Sequence, residues 1–214
     1  MYPGDPGPPG GDCAGVVVKA GAGGTNLRPG DAVFGLAAGC LGSHVHVSAK
    51  TVTSMPTTLT FEEAATTPTV FITVDSALIQ SAALCPGDRV LVHAAAGGVG
   101  LAAMQLIGAM EATTLATAGS SDKRRLVRAL DTRQVLDSRG TAFASEVAEL
   151  GGTTVVLNSL TSSGMVAGSL ATLNVGGRFV EISKRDIWSA ARVAQGECHW
   201  RGGVGGAGMK KVLE

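Results

Sequence analysis

The sequence predicts an α/β chain in which a doubly wound parallel sheet follows a shorter β-rich segment. Two observations carry this. After the turn Cys85-Pro86-Gly87-Asp88, five apolar strand-like segments alternate with helix-like ones, the order of parallel strands joined by crossover helices rather than by hairpins. Before that turn the apolar runs are short, β-branched and separated by Pro/Gly punctuation. The expected bounds are a β-rich region with linking helices over 1–83, the doubly wound region over 84–195, and a tail of different character over 196–214.

The opening MYPGDPGPPGGD is too rich in Pro and Gly for a helix or a central strand. CAGVVVKA and DAVFGLA read as strands around the turn RPGD, and SHVHVSA alternates with period two, predicting a third. Leu59 to Ala83 reads as helical, with Glu62 and Glu63 in the first turn where the helix dipole favours acids. Pro68 breaks or restarts that helix. DRVLVHA is then a buried strand and GGVGLAAMQLIGAM a helix. ATTLATA and SDKRRLVRALDTR form the next pair, and RQVLD, FASEVAELGG, TTVVLNS, SGMVAGSLATLN and GGRFVEIS continue the alternation. From Gly196 onward no strand or helix period is readable until the last few residues.

Composition narrows the function. Seventeen Lys+Arg balance seventeen Asp+Glu in 214 residues, which argues against a nucleic-acid binder with a broad basic face and against a polybasic membrane anchor. Val90 to Met110 carries no charged residue and is long enough to span a bilayer, but its internal glycines divide it into strand and helix. Four scattered cysteines without a C-x-x-C pair read as free thiols in a reducing, cytoplasmic compartment. Thirty-one glycines, about twice the usual share, imply many tight turns or close backbone approaches.

The strongest motif is Ala95-Ala96-Gly97-Gly98-Val99-Gly100, after a buried strand and opening a helix. Glycines there permit the tight turn and bring backbone N–H groups to a pyrophosphate, as in Rossmann-type dinucleotide folds; Ala95 stands at the first glycine position. The next strand ends in Gly119-Ser120-Ser121-Asp122-Lys123 without the acid that would hold an NAD ribose. Hydroxyls of Ser120 and Ser121 and the charge of Lys123 suit a 2′-phosphate, so NADPH is the expected cofactor. Asp122 serves the helix start or repels that phosphate, and Arg125 reads as solvated surface. His44 and His46, two apart on an expected strand, point the same way, but no Cys or acid at ligand spacing joins them.

Together the segments PGDRVLVHAAAGGVG, ATAGSSDKRR, VVLNSL and GGRFVEISKRDI resemble the enoyl reductase domain of polyketide synthases and the related domain of animal fatty acid synthase. Both lie in the quinone-oxidoreductase-like branch of the medium-chain dehydrogenase/reductase superfamily. MYPGDPG, GDCAGVV, GDAVFGLA and FEEAATTPTVFITV fit the same pattern, so the resemblance covers about Met1 to Gln195. It implies a partial GroES-like substrate domain ahead of the Rossmann-type domain, and NADPH-dependent reduction of a trans-2-enoyl thioester. The partners implied are the acyl carrier protein bearing that thioester and neighbouring synthase domains, with a homodimer in the intact synthase.

By the same resemblance Tyr2 and Lys184 take the catalytic positions, in protonation and at the thioester carbonyl. Ala96, Gly97, Gly98, Val99, Gly100, Gly119, Ser120, Ser121, Lys123, Ser138, Asn158 and Ser159 take the cofactor-binding positions. Gly11-Asp12-Cys13 stands where zinc-dependent relatives carry a liganding His, so no metal is expected. Asp75-Ser76 replaces an aromatic pair. Relatives extend further at both ends, which predicts an incomplete copy that is a poor reductase alone. A free-standing zinc-free quinone reductase and a non-catalytic nucleotide-binding fragment are the rival readings.

Overall fold

The computed structural model describes residues 7–21, 26–183, 188 and 192, with the backbone of Gly208–Met209. Its contacts divide the chain into two compact units, Met1–Ile72 and Thr73–Glu214.

In the first unit β1 (Asp12–Val16), β2 (Ala32–Leu36) and β3 (Val52–Ser54) form an antiparallel sheet in that order. Gly35 lies so close to the Thr51 carbonyl that no Cβ fits. The stretch SHVHVSA is not a strand. Residues 44–48 run without regular structure, and the third strand forms at Val52–Ser54, where the backbone pairs with Val33–Gly35. Alternation alone cannot register a strand that lacks a neighbour at the right distance along the chain. Thr60 and Glu63 form a reciprocal capping box that starts the short α1 (Phe61–Ala64). Pro68 opens α2 (Pro68–Val74), where its missing N–H costs nothing. A π-helical segment, Asp75–Ser81, follows it.

In the second unit β4 (Arg89–Val92), β5 (Thr113–Ala118), β6 (Gln134–Asp137), β7 (Thr153–Asn158), β8 (Leu173–Glu181) and β9 (Gly208–Met209) form one parallel sheet. Their spatial order is β6-β5-β4-β7-β8-β9. The helices α3 (Gly98–Ala109), α4 (Ser121–Ala129), α5 (Phe143–Glu149) and α6 (Met165–Ala171) cross between successive strands. Val90, Leu91 and Val92 are all fully buried, as strands covered on both faces must be. Leu91, Leu115, Val156 and Phe179 pack with Phe143, Val147, Met165 and Val166 of α5 and α6 in one apolar cluster. Each such side chain contributes about 1.5–3 kcal/mol on burial.

The expected five strands are present, but the tail is not without structure. Gly208–Met209 pairs with Arg178 and Phe179 as a sixth strand, so the edge of β8 is partly covered. Two residues are too few for a sequence period to reveal. Among the described residues no helix is long and apolar enough to cross a membrane.

Candidate functional site

The strand order runs outward from β4 to β6, then returns to β7 on the other side of β4. The order therefore reverses between β4 and β7, and in sheets of this kind the crevice for a ligand opens there, at the carboxyl ends of the strands. The sequence-predicted groups gather along this one edge. Ala96 to Gly100 follow β4, Gly119 to Lys123 follow β5, Ser138 follows β6, and Asn158 and Ser159 end β7. Tyr2 and Lys184 lie outside the described residues.

The turn after β4 is tied to both neighbouring strands. The His93 N–H donates to Leu157 O of β7 at 3.2 Å, and the Ala95 N–H to Thr117 O of β5 at 2.9 Å. Ala94 is held at φ 50, a strained conformation for alanine. Gly97 caps α3 with no side chain, so the first-turn N–H groups have neither an intrahelical partner nor a side-chain acceptor and carry the partial positive charge of a helix start. Gly100 allows the close approach: a Cβ there would sit 2.5 Å from Ala95 Cα. The turn thus brings unpartnered backbone N–H groups to the switch point.

At the end of β5 the groups divide their work. Ser120 is the N-cap of α4, its Oγ accepting from the Lys123 N–H at 3.3 Å. Ser121 begins the helix, and the Lys123 side chain is exposed. Asp122 pairs with Arg125 on the solvated face, which offsets its charge. Arg139, which sequence reasoning missed, reaches across from β6, its Nε donating to Gly119 O at 2.8 Å. A Cβ on Gly119 would stand 2.9 Å from that Nε and 3.4 Å from the Ser138 hydroxyl, so glycine makes room for both. Arg124 is turned inward instead, its guanidinium 3.0 Å from Asp137 and 3.1 Å from Ala118 O. Lys123, Arg139, Ser121 and Ser138 remain at this corner as a set of donors for a phosphate.

At the end of β7, the Asn158 side chain is engaged within the protein. Its Nδ2 donates to Glu181 Oε2 at 2.6 Å and to Leu160 O at 3.2 Å, while its Oδ1 accepts from the Leu160 N–H at 3.3 Å. What Asn158 offers the crevice is the turn that it holds. The Ser159 hydroxyl in that turn is buried and has no hydrogen-bond partner among the described residues. A buried hydroxyl in this state is costly, and its place at the switch point fits a ligand group that would complete it. Behind the turn after β4, His93 is buried between Thr117 and Ser169, and desolvation pulls its imidazole down to about 3.

Comparison with known proteins places this geometry. Residues 98–210 match the zinc-binding dehydrogenase family. The chain is 46% identical over 187 residues to a spectinabilin polyketide synthase system protein of Streptomyces orinoci, covering 86% of this chain and 8% of that protein. The solved CurK enoyl reductase superposes with a TM-score of 0.82 at 39% identity, over 87% of this chain and 57% of that one. A mycobacterial protein solved in complex with NADPH superposes with a TM-score of 0.79 at 26% identity, over 87% of this chain and 61% of that one. The chain thus spans a small part of the synthase and little more than half of the solved reductase.

The family's description names zinc, and the donors among the described residues do not fit that ion. Asp12 Oδ1 is occupied by the Thr69 N–H at 2.9 Å and the Thr69 hydroxyl at 2.7 Å. Burial, then the neighbouring Cys40 and Asp12, push the Cys13 thiol up, away from the thiolate that a metal needs. His44 and His46 are exposed and sit on no strand. Among the described residues no three His, Cys, Asp or Glu side chains group to hold a metal ion. Matched over more than half its length and folded like the solved reductases, the chain belongs to the zinc-binding dehydrogenase family, on the medium-chain dehydrogenase/reductase branch formed by enoyl reductase domains of polyketide synthases.

Proposed function

We propose that this chain is the enoyl-reducing part of a cytoplasmic polyketide-type synthase, converting a trans-2-enoyl thioester on an acyl carrier protein into the saturated thioester with NADPH. The observation that carries this reading is the uncapped start of α3 at the switch point, one strand away from a corner with basic residues and no acid at the end of β5. The residues present fit the cofactor: Gly97 to Gly100 would hold the pyrophosphate, and Ser121, Lys123, Ser138 and Arg139 the 2′-phosphate. Ser159 lies on the side assigned to the nicotinamide. When bound, NADPH supplies the hydride that adds to the β-carbon of the enoyl group.

The chain's own residues do the remaining work. The N–H groups of α3 and the dipole behind them fix the cofactor's charge, so its reactive ring is positioned by binding energy from a remote part of the molecule. Lys123 and Arg139 select the phosphorylated dinucleotide. Tyr2 and Lys184 are assigned, by resemblance, to the proton that must reach the α-carbon and to the thioester carbonyl. The test is titration with NADPH, followed by turnover assays on a crotonyl thioester and on a quinone. Thioester reduction supports the reading. Quinone reduction alone would place the chain with free-standing quinone reductases, and binding without either turnover, even after the chain is joined to the flanking segments of a solved relative, would make it a non-catalytic nucleotide-binding domain.

A further inference from the structure

Glu181 is a carboxyl group inside an apolar strand end, 5% exposed, and the reaction as described makes no use of it. It stands at the carboxyl end of β8, in register with Asn158 at the end of β7. One oxygen accepts from Asn158 Nδ2 at 2.6 Å, and the other from the Ser183 N–H at 2.8 Å. The Ile182 N–H completes the seam by donating to Asn158 O at 3.0 Å. Both donors and the acceptor of Asn158 are in use, so the orientation of its amide is fixed by Glu181 on one side and Leu160 on the other. The turn 158–160, with the unpartnered Ser159 hydroxyl, and the segment 181–183 that leads into Lys184 are therefore held as one edge. Burying a carboxyl group at a strand end is justified only where its hydrogen bonds are needed.

We infer that Glu181 is a positioning residue, which locks the ends of β7 and β8 together so that Ser159, Ile182 and Ser183 form the wall against the nicotinamide half of the cofactor. The inference rests on the proposed function, because it takes NADPH as the ligand of this edge. It makes a prediction that a merely structural role does not: loss of Glu181 should be felt by one half of the cofactor and not by the other.

The experiment measures the affinity of the full chain for NADPH and for adenosine 2′,5′-bisphosphate, which carries the phosphate corner without the nicotinamide. In Glu181→Gln the new amide can satisfy either Asn158 or the Ser183 N–H, but not both. NADPH should weaken by about tenfold or more, with the bisphosphate held within about twofold. Adding Asn158→Asp to Glu181→Gln reverses the polarity of the β7–β8 contact but leaves Leu160 O without its donor, so it should recover only part of the loss. Asn158→Ser, which keeps a turn-forming oxygen but cannot reach Glu181, must show the same split if Glu181→Gln does not fold. Equal weakening of both ligands, or unchanged NADPH affinity, overturns the positioning role alone. Failure of the unmodified chain to bind either nucleotide overturns the proposed function, and the inference with it.

Discussion

His93 Nε2 lies 2.8 Å from the Ser169 hydroxyl, and that hydroxyl in turn donates to Met165 O at 2.7 Å. A serine has one hydroxyl proton, so Ser169 must accept from His93, and Nε2 carries the hydrogen. Nδ1 then accepts from the Thr117 hydroxyl at 2.9 Å, and the ring is neutral, edge-on to Phe143 with centroids 5.0 Å apart. The contact joins β4, β5 and α6 through one side chain just before the candidate pyrophosphate turn.

This neutral imidazole predicts an acid-sensitive fold. In the unfolded chain His93 protonates near its ordinary 6.5, whereas burial keeps it neutral down to about 3 in the folded chain. Between those values the unfolded state binds more protons. The contribution to stability is therefore complete above the higher value and lost progressively as pH falls toward the lower, with a slope of up to about 1.4 kcal/mol per pH unit. Urea unfolding between about pH 6 and about pH 4.5 should show this slope, and His93→Asn should flatten it while lowering stability at neutral pH. A slope unchanged by the substitution would mean that His93 titrates in the folded state.

The opposite end of the sheet depends on Asp88. Burial alone would raise its carboxyl, but the Thr154 hydroxyl, the Cys85 N–H and the Arg178 guanidinium hold it below the ordinary 3.8. Arg178 pairs with it directly and also donates to Ala82 O at 2.8 Å and Ala83 O at 3.0 Å, joining β8 to the chain entering β4. Asp88→Ala would leave the largely shielded Arg178 guanidinium with the Ala82 and Ala83 carbonyls but no counter-charge, at a cost of about 3 kcal/mol in denaturant unfolding. Because the folded carboxyl is depressed, its contribution holds above 3.8 and is lost as pH falls below it, a window separate from the upper part of the His93 slope. A loss under about 1 kcal/mol would show that the network is solvated.

Much of this was legible in the sequence because the information is local. A buried strand, a glycine turn and an apolar helix announce β4 and α3 without reference to anything distant, and the alternation from β5 to β8 does the same. What was missed depends on neighbours. Arg139 matters because Ala118 and Asp137 are paired, a relation set by strand order. In a doubly wound sheet the third strand lies beside the second, so that order was itself an available signal. Glu181 also left a trace, as an acid in the apolar run FVEI. The period-two run at His44 to Ser48 misled because exposed chain can alternate without pairing, and the π-helical turn at Asp75–Ser81 has no signature of its own.

Two glycines on α3 separate tight packing from mere turn-making. A methyl at Gly100 would press on the backbone of Ala95, with its Cα, O and C at 2.5, 2.6 and 2.7 Å, so the first turn of the helix must lift away. Gly100→Ala should cost about 2–3 kcal/mol of stability and weaken NADPH binding. At Gly108, in the last turn of the same helix, nothing lies within 4 Å of the added Cβ, and Gly108→Ala should stabilise by up to about 0.5 kcal/mol with binding unchanged. Thermal unfolding and nucleotide titration of both variants check the pair. Equal effects at the two positions would remove the case for close approach at the turn.

The corner after β5 should set the choice between NADPH and NADH. Lys123 is exposed on the first turn of α4, while Arg139 arrives from the neighbouring strand and is steadied by the Gly119 carbonyl at 2.8 Å. The two cations differ in preorganisation. Arg139 already holds one hydrogen bond through Nε, so it has less rotamer freedom to lose when a phosphate arrives than Lys123, whose side chain is exposed. Each charge-assisted contact to a phosphate is worth on the order of 1.5–3 kcal/mol. Lys123→Ala and Arg139→Ala should each weaken NADPH about tenfold or more and leave NADH nearly unchanged, with the arginine variant losing more. Arg139→Lys should recover little, because a flexible ammonium does not reproduce the anchored fork. Isothermal titration with both nucleotides distinguishes the outcomes. An equal loss for NADPH and NADH in both variants would remove the 2′-phosphate from this corner.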